Sequence, residues 1–211
     1  MLEHLIICRH GETEWNIERR AQGRADSPLT AAGLEQARAL GRALAARGIE
    51  HIVSSTLGRA LHTAEIVAGI TGCTVSVDDR LVERAFGELE GQRFKDMALD
   101  PVWTAVVNCT DPDATAPGSE SLREVAARVL AALDDARKLP YRSVAVITHG
   151  QSISALLGTL HDTTDFSRFR HGNCGYTPLH VQAGGYGIDA WNLDPLAVAE
   201  AESVSAVTNQ K

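Results

Sequence analysis

The stretch Leu5-Ile6-Ile7-Cys8-Arg9-His10-Gly11-Glu12 holds a short apolar run that stops abruptly at charged residues and a glycine. Four consecutive apolar residues predict a strand that is buried on both faces, and the polar residues after them predict a loop. A second run of the same kind, Val144-Ala145-Val146-Ile147, stops at Thr148-His149-Gly150. Strands buried on both faces are typical of a parallel sheet that is covered by helices.

Strand-like and helix-like segments alternate around these two runs. Further strands are predicted at residues 51–54 and 74–77, around 179–181, and at 188–191. Helical spacing of apolar residues begins after Thr30, a predicted N-cap, and continues as far as Gly48, a predicted C-cap. It recurs between Ala60 and Gly72, after the capping box Ser121–Glu124, and over 153–157. This alternation predicts an α/β fold, a three-layer αβα sandwich with a mostly parallel central sheet.

The chain has 211 residues, which suffices for one domain with a full core, and no linker or internal repeat divides it. We therefore expect a single domain over residues 1–211. Within it, the apolar spacing that is typical of helices and strands weakens over residues 84–118. We interpret this segment as an excursion that covers a site and sets substrate specificity. The polar tail, residues 194–211, is expected to fray.

Composition and charge limit the classes of molecule that the protein is expected to bind. The formal net charge of −7 argues against nucleic acid and anionic membranes but leaves a small phosphorylated metabolite as a partner. No apolar run approaches the roughly eighteen residues that span a bilayer, and the amino terminus lacks a basic signal-peptide region, so we expect a cytoplasmic protein. The four cysteines show no metal-binding pairing, and the pattern favours no particular oligomeric state.

Residues suited to phosphate chemistry follow the ends of the predicted strands. Arg9 and His10 follow the first strand, and His149 follows the strand at 144–147. Arg59 lies just past the strand at 51–54, and Glu83 follows the strand at 74–77. Ligands of parallel sheets bind outside the carboxyl ends of the strands, so we expect these five side chains to converge there.

These residue types together suit phosphoryl transfer. A neutral imidazole is an in-line nucleophile for phosphorus, and arginines bind phosphate oxygens bidentately while staying charged. A second histidine adds a donor for the charge that develops on the oxygens. A carboxylic acid can protonate the departing alkoxide and then activate water. Gly11 and Gly150 are expected to allow close approach of the backbone to the phosphate.

Two other classes of site share some of these residues. His10, His149 and Glu83 resemble a facial metal triad, but a dication would be repelled by Arg9 and Arg59 at contact distance. We therefore expect no metal and no other cofactor. A non-catalytic phosphate-binding module on the same fold is the second alternative, and it would be credible if His10 or Glu83 were missing; both are present.

Motifs along most of the chain resemble the histidine phosphatase superfamily, and within it the phosphoglycerate-mutase-like branch of bacterial mutases and broad-specificity phosphatases. The motifs are residues 9–16, Gln22-Gly23, 26–30, Ser54-Ser55, 58–60, 63–65, 81–83, 87–91, 119–121 and 148–150. Ser119 departs from the pattern, because relatives usually have glycine there.

The resemblance implies a role for each matched residue. It implies that His10 is phosphorylated, that Glu83 is the proton donor, and that the phosphate pocket is formed by Arg9, Arg59 and His149. It also implies that the pocket is lined by Asn16, Gln22 and Gly23.

The resemblance implies a phosphatase that hydrolyses small phosphomonoesters through phosphohistidine. The alternative is a phosphoglycerate mutase that depends on 2,3-bisphosphoglycerate and uses the same residues. Mutases of the family are longer and have a larger lid, so the short excursion in this chain favours the phosphatase. Three cations of the excursion are candidate anion contacts: Arg84, Arg93 and Lys95.

Overall fold

The computed structural model describes residues 2–97, 100–182 and 184–197, and it has a six-stranded sheet at its centre. The strands are β1 (His4–Arg9), β2 (His51–Ser54), β3 (Thr74–Val77), β4 (Ser143–Thr148), β5 (Tyr176–Gln182) and β6 (Gly185–Gly187). Their order is β3-β2-β4-β1-β5-β6. Strands β1 to β4 run parallel, whereas β5 and β6 are antiparallel to their neighbours, so the sheet is mostly parallel as predicted.

Helices of very different lengths connect the strands. They are α1 (Glu14–Ile17), α2 (Ala31–Ala45), α3 (Gly58–Thr71), α4 (Phe94–Met97), α5 (Pro101–Asn108), α6 (Leu122–Ala136) and α7 (Gly150–Leu160). The predicted N-terminal caps are present: Thr30 accepts from the N–H of Gly33, and Ser121 and Glu124 form a complete capping box. The C-cap predicted at Gly48 is wrong, because α2 ends at Ala45 and its C-cap is Ala46. Helix α3 ends at Gly72, which has the left-handed conformation that favours glycine.

The two faces of the sheet are covered by different helices. Leu5 and Ile7 of β1 point into one core with α6 and α7, whereas Ile6 and Cys8 point into the other with α2 and α3. Both faces of β1 are therefore buried, which is why its sequence is a continuous apolar run. This arrangement is the predicted αβα sandwich.

The structure corrects the last predicted strand. No strand lies at 188–191; instead β6 occupies Gly185–Gly187 and pairs with the last three residues of β5. Because Gly185 already pairs with Gln182, the pairing is complete before Ile188. Of the tail that is expected to fray, residues 198–211 lie outside the described residues.

The excursion has more regular structure than its sequence indicates. It contains α4 and α5, and a separate apolar cluster forms around Phe86, Met97 and Trp103. Its helices are short, so the periodic signal in the sequence is weak. Within the described ranges, no helix has both the length and the apolar character needed to cross a bilayer.

Candidate active site

A pocket of about 320 Å³ lies at the carboxyl ends of the parallel strands. Its wall includes seven of the predicted site residues: Arg9, His10, Asn16, Gln22, Gly23, Arg59 and Glu83. The eighth, His149, is fully buried beside His10, and the centroids of the two imidazole rings are 5.2 Å apart. The structure thus brings together every residue that the motifs assigned to the site.

His10 directly follows β1, and its ring is fixed by a backbone carbonyl. Its Nδ1 lies 2.7 Å from the carbonyl oxygen of Gly11. Because a carbonyl only accepts hydrogen bonds, the hydrogen is on Nδ1 and the lone pair is on Nε2. Burial, with the charges of Arg59 and Arg9, holds the pKa of His10 well below its usual value. The side chain is therefore a neutral imidazole, the form that can act as a nucleophile.

Arg59 lies in the first turn of α3 and is almost fully buried. Its guanidinium donates to the carbonyl oxygens of Gly23 (2.8 Å) and Ala25 (2.7 Å) and to the carboxylate of Asp26 (3.1 Å). Its Nε donates to Nε2 of His10 over 3.3 Å. These hydrogen bonds fix the planar guanidinium beside the imidazole of His10. From this position it can donate to an oxygen of a phosphate that His10 attacks.

Two buried nitrogens of the site have no hydrogen-bond partner among the described residues: Nε of Arg9 and Nδ1 of His149. Arg9 is anchored by a 2.6 Å bond from Nη1 to the carbonyl of His171, and His149 by a 2.8 Å contact between Nε2 and Oγ of Ser55. Buried polar groups are normally satisfied, so two unpartnered nitrogens close to one pocket are typical of a ligand-binding site. Both can donate a hydrogen bond and Arg59 lies close by, so the site fits an oxyanion.

Glu83 is held at the N-terminus of α7. Its Oε1 accepts from the backbone N–H of Ser152 (3.1 Å) and of Arg84 (3.0 Å), and its Oε2 accepts from the N–H of Gln151 (3.3 Å). The first turn of a helix has free N–H groups that favour a carboxylate. Burial lowers the pKa of Arg9 and Arg59, and the charge of Glu83 opposes that change, so the carboxylate lies within electrostatic reach of both.

Among residues 2–97, 100–182 and 184–197, no three His, Cys, Asp or Glu side chains are grouped so that they can hold a metal ion. Burial, with the charge of Arg59 among others, holds the pKa of His149 well below its usual value, so this imidazole is also neutral. The positive charge beside the two imidazoles therefore comes from Arg9 and Arg59, and three further arginines line the pocket: Arg19, Arg20 and Arg170.

The three residues that the resemblance places in the lining of the pocket, Asn16, Gln22 and Gly23, contribute to its wall in different ways. Asn16 completes a capping box with Thr13, and its Oδ1 accepts from Nδ2 of Asn173. Gln22 is buried in the wall. Gly23 has a φ of +54°, and a Cβ there would lie 2.3 Å from Oε1 of Glu90, so this position requires glycine.

Gly11 and Gly150 lie just after the ends of β1 and β4, and each approaches another part of the chain. A Cβ on Gly11 would lie 2.6 Å from the carbonyl oxygen of Gly33, so Gly11 allows the first turn of α2 to pack against the loop. A Cβ on Gly150 would lie 3.4 Å from Nε of Arg9. This is an ordinary contact distance, and Gly150 itself lines the pocket.

The prediction that Arg84 contacts an anion is wrong. Arg84 is completely buried, and it donates to the carbonyl oxygens of Val106 (2.9 Å), Ala114 (2.5 Å) and Glu120 (2.6 Å). Arg84 is the first residue of the excursion, so its bonds to Val106 and Ala114 join the start of the excursion to its later part. A further bond from Nη1 to Oε1 of Gln151 (3.2 Å) joins it to α7. Nothing in the sequence distinguishes such a buried anchor from a substrate contact.

Arg93 and Lys95 do not line the main pocket; they line an adjoining depression with Glu18, and Arg19 and Phe94 line both. The excursion contributes only uncharged residues to the main pocket: Phe86, Phe94, Val107, Asn108 and Cys109. Its part of the wall is therefore largely apolar.

Several residues that support the site are not among those predicted from the sequence. Asp26 holds Arg59, and Asn173 donates to both the carbonyl of His10 (3.3 Å) and Asn16. Ser55 lies in a recognised motif, yet its contact with His149 joins positions 94 residues apart. Only the motif signals Ser55, and no spacing in the chain indicates Asn173.

Comparison with known proteins places this geometry among phosphate-handling enzymes. The family model that matches residues 5–194 is described as the histidine phosphatase superfamily, branch 1. A probable phosphoglycerate mutase, GpmB, of Salmonella paratyphi B is 38% identical over 195 residues, which cover 90% of each chain.

Solved structures resemble the chain as well. A mycobacterial glucosyl-3-phosphoglycerate phosphatase in complex with VO3 is 30% identical with a TM-score of 0.82, over 90% of this chain and 99% of that one. A phosphoserine phosphatase mutant from Entamoeba histolytica, in complex with phosphoserine, is 28% identical with a TM-score of 0.77. The match covers 90% of this chain and 96% of that one.

Proposed function

The chain belongs to the histidine phosphatase superfamily, and we propose that it hydrolyses small phosphomonoesters through a phosphohistidine on His10. One observation carries the proposal: His10 is a neutral imidazole whose Nδ1 is bound to the carbonyl of Gly11, which leaves the lone pair of Nε2 for phosphorus. The phosphatases among the structural relatives support the same reaction class.

In the first half-reaction, Nε2 of His10 attacks phosphorus and the bond to the leaving oxygen breaks. Arg9, Arg59 and His149 donate to the three phosphoryl oxygens, whose charge they stabilise as it spreads. The carboxyl group of Glu83 gives its proton to the departing alkoxide, which leaves as an alcohol.

In the second half-reaction, the carboxylate of Glu83 takes a proton from a water molecule as that water attacks the phosphohistidine. The P–N bond breaks, inorganic phosphate is released, and Nε2 of His10 regains its lone pair. Glu83 is then protonated again, so the cycle closes without any other reactant. The N-terminal turn of α7 holds the same carboxylate for both steps.

Release of phosphate to water, rather than return to a second hydroxyl, is favoured by the wall of the pocket. A phosphoglycerate mutase must hold its product while it reorients, which calls for a closed lid and cationic contacts to the product carboxylate. The excursion supplies uncharged residues there, and Arg84 is occupied by backbone carbonyls. Three arginines from outside the excursion also line the wall; Arg20 is paired with Glu18 and Arg170 is bound to Asn108, which leaves Arg19 as the cation that a mutase reaction could use. Relatives named as probable mutases keep that reaction as the alternative.

The two reactions are separated by one set of assays. A panel of phosphorylated metabolites is incubated with the protein, and both free phosphate and isomer formation are measured. We expect phosphate release from the best ester to exceed isomerisation of 3-phosphoglycerate, even after priming with 2,3-bisphosphoglycerate. Faster isomerisation than any hydrolysis would establish the mutase instead.

The same assays distinguish the remaining classes. Activity is expected to survive exhaustive chelation, because the arginines and His149 already supply the donors that a metal would replace. A loss with EDTA that one divalent ion restores would support a metal site. Binding of phosphate esters without any turnover would support a non-catalytic module.

A further inference from the structure

Ser55 is a fully buried residue that contacts the second histidine of the site. It follows β2, and its backbone N–H donates to the carbonyl of Ile147 over 2.9 Å. Its Oγ lies 2.8 Å from Nε2 of His149 and accepts from the backbone N–H of Leu57 over 3.3 Å. The hydroxyl thus stands between a backbone donor and an imidazole nitrogen, in a place that solvent does not reach.

The position of one hydrogen follows from these contacts. A hydroxyl has one hydrogen to donate, and the N–H of Leu57 already occupies one of its lone pairs. If Nε2 of His149 carried the hydrogen, the hydroxyl hydrogen of Ser55 would have no acceptor among the described residues. A buried donor without an acceptor is costly. The arrangement that leaves no buried donor unpaired is donation from the hydroxyl of Ser55 to Nε2 of His149.

We propose that Ser55 is a positioning residue, which fixes His149 in the tautomer that carries its hydrogen on Nδ1. Nδ1 is the nitrogen of His149 that has no partner among the described residues, so its N–H is free to donate to a ligand. The proposal rests on the function proposed above, in which that ligand is the phosphoryl group.

The two histidines of the site then share one tautomer but present opposite atoms to the phosphoryl group. His10 uses its Nδ1–H on the carbonyl of Gly11 and presents the lone pair of Nε2. His149 uses its Nε2 on Ser55 and presents the N–H of Nδ1. One ring is the nucleophile and the other is a donor, although both are neutral and only 5.2 Å apart. Without Ser55, a lone pair on Nδ1 of His149 could face the phosphoryl oxygens.

The tautomer can be read directly by NMR of protein labelled with ¹⁵N at its histidines, without any substrate. In the wild type we expect Nδ1 of His149 to carry the hydrogen and Nε2 to have the shift of an unprotonated nitrogen. In Ser55→Ala we expect a mixture of tautomers or the opposite one. A wild-type spectrum with the hydrogen on Nε2, or an unchanged tautomer in Ser55→Ala, would overturn the proposal.

Kinetics of matched variants provide a second readout. Ser55→Ala is expected to lower kcat about 10- to 100-fold with a smaller change in KM, because the lost donor acts mainly on transition-state charge. Ser55→Thr keeps a hydroxyl and is expected to recover much of that loss. Ser143→Ala removes a buried hydroxyl at the far end of β4 and should change neither the tautomer nor kcat.

Two substitutions at the histidine itself cover the case in which Ser55→Ala does not fold. The side-chain amide of asparagine can place an N–H near the position of Nδ1, whereas glutamine reaches the position of Nε2. We expect His149→Asn to retain more activity than His149→Gln, and the reverse order would overturn the proposal. The NMR result is independent of turnover, so it fails or holds separately from the proposed function, which phosphate detection on His10 tests.

Discussion

Nε of Arg59 donates a hydrogen bond to Nε2 of His10 over 3.3 Å. An N–H can point at Nε2 only while that nitrogen keeps its lone pair, so the contact is consistent with neutral His10 alone. The same guanidinium charge contributes to the lowered pKa of the imidazole. Together with burial, Arg59 thus keeps the candidate nucleophile unprotonated, and its N–H can pass to a phosphate oxygen when an ester binds.

Arg59→Lys is expected to lower kcat/KM for nitrophenyl phosphate by about 10²–10³-fold, because an ammonium cannot form the planar set of bonds that Arg59 makes. The variant also leaves the carbonyls of Gly23 and Ala25 without their donor, so its urea midpoint should fall. Arg38→Lys, on the exposed face of α2, is the matched control and should behave as the wild type. Wild-type activity in Arg59→Lys would remove the guanidinium from the mechanism.

Glu83→Gln tests proton transfer through the choice of leaving group. An alkyl phosphate needs a proton on its departing oxygen, whereas nitrophenolate leaves without one. We expect kcat for alkyl phosphates to fall far more than the rate of the first nitrophenol burst. Rapid-quench kinetics on both substrates measure the difference. Equal losses would mean that Glu83 orients the phosphate and transfers no proton.

Arg84→Met tests whether this arginine is an anchor of the excursion. The substitution keeps much of the volume but leaves the carbonyls of Val106, Ala114 and Glu120 without donors, so the free energy of unfolding should fall by about 3 kcal/mol or more. Arg123→Met, an exposed change in α6, should leave stability unchanged. A stable variant with impaired KM only for substrates that carry a carboxylate would make Arg84 a substrate contact.

The buried histidines make stability depend on pH in one direction. Burial is the main cause that lowers the pKa of His10 and His149, and it lowers the pKa of His171 to about 4. Below the unfolded value of about 6.5, the unfolded chain binds protons at these sites and the native chain does not. The stabilisation is therefore complete above pH 6.5 and decreases as the pH falls toward the native values.

Urea unfolding at pH 7.5, 6.5 and 5.5 measures this dependence above the range in which carboxylates titrate. Each such histidine contributes at most about 1.4 kcal/mol per pH unit. His171→Gln should reduce the slope by about one proton, because it removes one titrating ring and leaves the others. A free energy of unfolding that stays constant from pH 7.5 to 5.5 would show that these rings are not held neutral.

The sequence is most informative where one physical cause dominates. Burial on both faces makes β1 a continuous apolar run, and strand ends of a parallel sheet meet at one edge, so the order of the residues alone places Arg9, His10 and His149 together. Caps such as Thr30 depend only on neighbouring residues, and for that reason they are predicted correctly.

Features that depend on distant contacts cannot be inferred in this way. The role of Arg84 depends on three carbonyls that lie 22 to 36 positions further along the chain. Ser55 reaches His149 because β2 lies beside β4, and Asn173 reaches His10 because the loop before β5 lies beside the end of β1. The position of β6 is set by its pairing with β5, which the apolar pattern at 188–191 does not reveal.

Detection of phosphohistidine during turnover tests the central claim most directly. The protein is mixed with nitrophenyl phosphate, quenched within one turnover, digested under conditions that preserve phosphohistidine, and analysed by mass spectrometry. We expect one phosphoryl group on His10, more of it in Glu83→Gln because the second half-reaction lacks its base, and none in His10→Ala, whose turnover should fall by several orders of magnitude. Continued turnover with no phosphate on His10, or near-normal activity in His10→Ala, would contradict the account.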